Sequence, residues 1–395
     1  MIFLIYVGID VAKNKHDCCI LGVTGENLFD SFSFPNTKQG FDLLKTNINS
    51  VLKAQPDSNI KVGLEATGHY NENLVAFLRY SGIEPVVFNP LQVKLFRQAL
   101  SLRKTKTDKV DAKCIASLLM SDVSNPLAPS YQIQELKSLT RHRSRLVSER
   151  SKAKIQLSRL IDILFPELPS ICWSISQKSI LALLKAFPSA KSISLCSLDS
   201  LTSVLEKNSK GRYKEHKAQQ IRDLAKQSIG KDSHALAFEL VQVIESIEFF
   251  QNQILTLDAK LKLLVEELDS PLLTIPGIGY RLAAIILSEI GDVSRFSSPD
   301  KLLAFAGVEP STYQSGQFSA TKTHMVKRGS SYLRWALMQA ARLAARRCTV
   351  LHAFLDKKMA QGKHYFVALG HATKKLVRLI FHLLTKNEPF LPQII

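Results

Sequence analysis

No stretch of this 395-residue sequence stays apolar over the roughly 20 residues that a bilayer-spanning helix needs, so a helical membrane protein is not expected. The six cysteines, Cys18, Cys19, Cys114, Cys172, Cys196 and Cys348, contain no CxxC pair and no Cys/His ligand spacing. That argues against a zinc site or a disulfide framework and for a reducing, cytoplasmic setting. A second glycine-rich phosphate loop is missing, which weighs against an actin-like sugar kinase, and no His/Asp triad pattern supports a hydrolase serine. Acid is the scarcer charge: 34 Asp+Glu stand against 52 Lys+Arg, a net charge of +18. Self-repulsion of that size calls for a polyanionic partner, and nucleic acid is the first candidate.

What is present suits a globular protein of two or three domains: 46% of residues are hydrophobic, enough to bury a real core. The apolar opening Ile2 to Val7 lacks a basic leader and runs directly into Gly8-Ile9-Asp10, so it reads as a buried strand and not as a signal peptide. Strand signals follow at Cys18 to Val23 and Leu28 to Phe34, then a helix from Thr37 to Leu52, a short strand Val62 to Glu65, a helix Tyr70 to Ser81, a strand Pro85 to Phe88, and a helix Asp108 to Leu119. The order β-β-β-α-β-α-β-α fits three antiparallel strands extended by parallel ones, an α/β layer fold. From Leu136 to Leu164 the pattern is helical and basic, a candidate nucleic-acid-facing helix. The Ser/Lys-rich stretch between Ser170 and Asp232 offers no readable site. Val243, Ile247, Phe250, Ile254, Leu257, Leu261, Leu264 and Leu268 then recur at 4-3 spacing, which predicts a coiled coil and self-association.

Two groups of residues can do chemistry. Asp10 closes the first strand and Glu65 a later one, while Asp108 and Asp111 share one face at the start of a helix, with Thr107 placed to cap it. If these elements converge, four carboxylates suit a two-metal site acting on a phosphodiester, with Arg103, Lys104, Lys106, Lys109 and Lys113 nearby to neutralise phosphates. Taken singly, each acid reads as a turn or capping residue. The second group lies near the end of the chain. Ile275-Pro276-Gly277-Ile278-Gly279 is a tight turn whose glycines can bring backbone N–H groups close to a phosphate, in the manner of a helix-hairpin-helix element. From Gly316 onward fourteen Lys/Arg face only Asp356 and Glu388. Ser315 stands in this setting, where a hydroxyl can serve as a nucleophile and hold a phosphodiester as a phosphoserine link.

These motifs, in their order, resemble a known family. Gly8-Ile9-Asp10-Val11-Ala12-Lys13, Leu64-Glu65-Ala66-Thr67-Gly68, Asn89-Pro90, Lys106-Thr107-Asp108-Lys109-Val110-Asp111-Ala112, the Pro276-Gly277 turn, Phe305-Ala306-Gly307, and Tyr313-Gln314-Ser315-Gly316 followed by Lys327-Arg328-Gly329 are similar to those of the DEDD-type insertion-sequence transposases of the IS110 family and of the related Piv-type DNA invertases. The resemblance implies an RNase H-like (RuvC-like) domain over residues 1-125, a basic helical linker and coiled coil over 126-269, and a mainly α transposase domain with a helix-hairpin-helix element over 270-395. It implies that Asp10, Glu65, Asp108 and Asp111 bind Mg²⁺ and that Ser315 becomes linked to DNA. It also implies donor and target DNA as substrates, guidance by a bridge RNA, dimers pairing into a tetramer, and a bacterial or archaeal cytoplasm. Gly277, Gly279, Lys327, Arg328 and Arg334 are the expected nucleic-acid contacts. The alternatives are a hydrolytic RuvC-like junction nuclease without a covalent intermediate and a nucleic-acid-binding protein without activity.

Overall fold

The computed structural model describes residues 3–66, 68–100, 107–121, 131–310, 314–315, 318–319 and 324–392. Arg103, Lys104, Lys106, Tyr313 and Gly316 lie outside the described residues, and Ser315 is described in its backbone. The chain divides into two compact units, Met1–Ala128 and Pro129–Ile395. Among the described residues no helix is long and apolar enough to cross a membrane, and all six cysteines are free thiols.

In the first unit, β1 (Phe3–Val11), β2 (Lys15–Leu21), β3 (Asn27–Pro35), β4 (Ser58–Glu65) and β5 (Val86–Phe88) form one sheet in the order β3-β2-β1-β4-β5. The first three strands pair antiparallel, and β4 and β5 run parallel to β1. β1 is central and apolar on both faces, as a strand covered on both sides must be. Ile5, Val7 and Ile9 face one core, shared with α1 (Lys38–Ala54) and α2 (Glu72–Tyr80). Tyr6 faces the other, against α3 (Pro90–Leu100) and α4 (Asp108–Ser121). Side chains alternate along a strand, so Gly8 and Asp10 share the α4 side with Tyr6.

α3 is absent from the sequence-based order. Its start is nonetheless written in Asn89-Pro90: the Asn89 Oδ1 accepts from the Leu91 N–H at 2.9 Å, and proline opens the helix where its missing N–H costs nothing.

The second unit is built on two long helices, α5 (Tyr131–Leu164) and α10 (His234–Glu267). They run antiparallel, because Glu135 meets Lys260, Arg143 meets Asp258 and Arg159 meets Glu239. Val243, Ile247, Ile254 and Leu261 of the heptad seam are buried in the chain's own core. The seam therefore already has a partner, α5, and no longer argues for self-association. The basic face of α5 is corrected in the same way. Arg141 binds Glu289, Arg143 binds Asp258 and Arg159 binds Glu239, while Arg150 donates to the neutral Gln251, so part of its charge is answered inside the unit, whereas Arg145 and Lys152 remain exposed.

The Ser/Lys-rich stretch is folded. Four helices, α6 (Lys178–Ala186), α7 (Ala190–Leu195), α8 (Leu198–Ser209) and α9 (Glu215–Lys226), share a core with one end of the α5/α10 pair. The other end packs with α11 (Tyr280–Ile290), α12 (Pro299–Ala306), α13 (Ser331–Ala344), α14 (Thr349–Ala360) and α15 (Tyr365–Lys386). β6 (Gln314–Ser315) and β7 (Phe318–Ser319) form a small antiparallel ladder in which Ser315 is opposite Phe318.

Candidate active site

The geometry of the acids starts from two glycines. β1 and β4 are in parallel register with Gly8 beside Gly63 and Ile9 beside Leu64, which puts Asp10 and Glu65 next to each other one step on. A Cβ at Gly8 would lie 2.3 Å from both the Ala112 carbonyl and the Ala116 nitrogen. Only glycine lets α4 cross the sheet this closely, and that approach brings the first turn of α4, with Asp108 and Asp111, over the strand ends. The helix is started by Thr107, whose hydroxyl accepts from the Val110 N–H at 3.4 Å.

A fifth acid, unforeseen in the sequence, completes the row. Asp17 on β2 is the antiparallel partner of Asp10, and directly opposed residues point to the same face. Asp17, Asp10 and Glu65 thus cross three neighbouring strands on the α4 side. Asp17 is 4% exposed; it accepts from the Ser33 hydroxyl and meets Lys15 at 3.3 Å. Hairpin register would have pointed to it, but register is not visible in residue types.

Electrostatics report the crowding. The Asp10 carboxyl is pushed up to about 6, first by burial and then by Asp111, Glu65, Asp108 and Asp17. Three of the neighbours are held by the chain's own cations: Arg97 of α3 donates to Asp111 at 2.7 Å, and Lys15, beside Asp17, also reaches Asp108 at 3.4 Å. Asp111 is 7% exposed, whereas Asp108, Lys109 and Lys113 are exposed. Among the described residues no three His, Cys, Asp or Glu side chains already stand close enough together to hold a metal ion. The donor set is nonetheless all carboxylate, and its mutual repulsion is the kind a hard divalent cation relieves.

The serine segment rises from a fixed root. Its ascending arm leaves α12 through Gly307 to Pro310 and its descending arm returns through Met325 to Gly329. Val326 N–H donates to the Glu309 carbonyl at 3.0 Å, Lys327 N–H to the Gly307 carbonyl at 3.2 Å, and Pro310 bridges Met325. A Cβ at Gly329 would lie 2.1 Å from the Phe305 carbonyl. The motif glycine therefore lets the arms close. Arg334 donates to the Lys327 carbonyl at 3.1 Å, so it ties the root together, while Lys327 and Arg328 are exposed.

Below the root lies Glu289 of α11, 2% exposed. Its carboxylate takes two bonds from Arg141, at 2.7 and 3.1 Å, and one from the Ser330 hydroxyl at 2.8 Å, with Lys137 at 3.8 Å. Ser330 in turn caps α13. Burial alone would raise the Glu289 carboxyl; the Arg141 and Ser330 bonds and the Lys137 charge leave it below the ordinary value. Glu289→Gln is expected to cost about 1–3 kcal/mol, read as a lower urea midpoint, because it removes charge-assisted bonds from a buried site.

The two glycines of the Ile275–Gly279 turn differ. Gly277 has φ +98°, and a Cβ there would be 2.7 Å from the Leu343 carbonyl carbon, so its α-carbon packs on α13. Gly279 is the exposed N-cap of α11 with open space around it.

Two family models match this chain. A transposase model of the DEDD IS110 type matches residues 7–166, and a model described as transposase IS116/IS110/IS902 family matches residues 269–356. The chain is 26% identical over 393 residues to the pilin gene-inverting proteins of Moraxella bovis and of Moraxella lacunata, covering 98% of this chain and 97% of each relative. It is 23% identical to a 44.8 kDa protein of insertion element IS116 from Streptomyces clavuligerus, over 98% of this chain and 96% of that one. With both family domains present, in order, along relatives of matching length, the chain belongs to the IS110 family of transposases, enzymes that act on DNA.

Proposed function

We propose that this transposase cuts and rejoins DNA through a phosphoserine intermediate formed on Ser315, with the carboxylate row as its Mg²⁺-dependent partner. The observation that carries the reading is the row itself: Asp17, Asp10 and Glu65 on adjacent strands beneath Asp108 and Asp111. The strand order β3-β2-β1-β4-β5 with α4 over the acids supports an RNase H-like fold for the first unit. Asp10, Glu65, Asp108 and Asp111 would hold Mg²⁺, which supplies positive charge to oxygens that gain negative charge during phosphoryl transfer. Arg97 and Lys15 offset part of the negative charge of Asp111, Asp17 and Asp108.

In the second unit the Ser315 oxygen attacks a backbone phosphorus, an Oγ–P bond forms, and a sugar hydroxyl leaves. Attack by a second sugar hydroxyl on the same phosphorus restores the serine and joins the new strand. The fixed root positions the segment, and Lys327 and Arg328 offer cations to the phosphates beside it. Exposed Arg342, Arg346 and Arg347 extend that basic surface. Selection of donor and target by a bridge RNA, and pairing of dimers into a tetramer, belong to the same reading. So do the helix-hairpin-helix contacts of Gly277 and Gly279 with the DNA backbone.

The test is a denaturing gel of purified protein with the RNA transcribed beside its gene, labelled donor and target DNA, and Mg²⁺. A protein–DNA adduct that survives denaturation is the expected result. Cleaved DNA with no adduct at any time would overturn the serine chemistry in favour of a hydrolytic nuclease.

A further inference from the structure

The α14/α15 face contains a cationic groove that neither catalytic centre uses. α15 buries Ala368, Leu369, Ala372, Leu376, Ile380 and Leu383 on one side. On the other side His371, Lys374, Lys375, Arg378 and His382 recur at helical spacing and, with Lys358 of α14, line a groove of about 620 Å³. Phe354 sits in its wall with the Lys358 and Lys375 ammonium groups 5.6 and 4.9 Å from the ring centroid. Its π face thus orients cations.

Charge of one sign is gathered here at a cost. Lys358, Lys374 and Lys375 are only partly exposed, and among the described residues no carboxylate lies within ion-pair distance of any of the three. Asp300 answers Arg378 at 3.2 Å, and Glu388 stands 3.9 Å from His382. Burial and the Arg378 charge push the Lys374 ammonium below its ordinary value, with Glu309 opposing. Burial and Lys363, Lys374 and Lys358 do the same to His371. Lys358 donates to the neutral Gln361 at 3.2 Å; a stable fold gains little from half-buried ammonium groups without a counter-charge, and an anionic ligand would relieve them.

We propose that the α14/α15 groove is a nucleic-acid backbone site in which Lys358, Lys374, Lys375 and Arg378 hold phosphates of one strand and His371 and His382 donate alongside them. The inference rests on the chain's action on DNA, and not on the serine or the carboxylates. DNA and RNA share the phosphodiester that the groove would recognise, so the test carries both.

The full-length protein is titrated, in chelator so that no strand is cut, against fluorescein-labelled single-stranded DNA, RNA of the same sequence and duplex DNA, each of about 30 nucleotides or pairs, over about 50 to 200 mM salt. Lys374→Glu/Lys375→Glu is compared with wild type, with the milder Lys374→Gln/Lys375→Gln, and with Lys178→Glu/Lys207→Glu, which places equal charge changes on exposed positions of α6 and α8. The groove variants are expected to lower the slope of log Kd against log salt by about 2 and to weaken binding at least about tenfold, while the control retains most of its affinity. Loss confined to RNA assigns the groove to RNA, and loss confined to duplex assigns it to DNA. Wild-type slopes on all three probes for the folded Gln variant, or equal competition by polyglutamate, would overturn the proposal. Because binding is read without cleavage, failure of the phosphoserine chemistry leaves this result intact, and the reverse also holds.

Discussion

Asparagine at position 10 is expected to leave the protein nearly inactive and, without metal, more stable at pH 8. The folded Asp10 carboxyl titrates at about 6 against an ordinary 3.8. The folded state therefore holds this proton more tightly than the unfolded chain does. Stability contributed at this position falls as pH rises from about 4 through about 6, and the penalty is fully present above that. At about 1.4 kcal/mol per pH decade the strain is at most about 3 kcal/mol, and less where water reaches the site. Asp10→Asn removes it, so the urea midpoint at pH 8 in chelator should rise and its slope between pH 4 and 7 should flatten. Mg²⁺ should stabilise the wild type at pH 8 and leave the variant almost unmoved. Strand cleavage by the variant should drop on the order of 10³-fold or more, since several kcal/mol of charge stabilisation go with the ligand. A variant that keeps activity, or that is less stable at pH 8 without metal, would sink the assignment of Asp10 as a charge held in readiness for a cation.

Alanine at Ser315 is expected to abolish the protein–DNA adduct and to reduce strand exchange on the order of 10⁴-fold or more, the scale of losing a nucleophile. Noncovalent DNA binding should stay within about twofold, because the basic residues of the root and of α13 are untouched. The root does not depend on position 315: its bonds run between Gly307 to Pro310 and Met325 to Lys327. A folding defect is therefore not the expected cause of lost activity, and an unchanged urea midpoint checks that. If Ser315→Ala still cuts DNA at the wild-type rate, water is the nucleophile and the carboxylates alone do the chemistry.

Much of the first unit is legible in residue types, for a physical reason. Its strands alternate or run apolar, its helices carry one apolar face, and Asp10, Glu65, Asp108 and Asp111 sit at the ends of those elements. What escapes depends on pairing. Asp17 joins the row only through the β1/β2 register, and Arg97 reaches Asp111 only because α3 exists, a helix announced by nothing louder than Asn89-Pro90. In the second unit the charges mislead. Arg141, Arg143 and Arg159 look like a surface for phosphates, yet their counterions, Glu289, Asp258 and Glu239, lie 148, 115 and 80 residues away in sequence. The heptad seam reads correctly as a long apolar stripe, but its spacing alone does not say whether the partner helix belongs to the same chain.

The contact at Gly8 gives this position a weight that its chemistry would not suggest. It carries no side chain for chemistry, yet one added methyl group would collide with the backbone of α4 at Ala112 and Ala116. A main-chain obstacle cannot swing aside as a side chain can, so the helix must lift and take Asp108 and Asp111 with it. In a saturating mutational screen scored by transposition, position 8 should reject every other amino acid as firmly as position 10 does, and alanine there should fail by separation of the acids. The spacing of the acids is in this sense inherited through an atom that is not there.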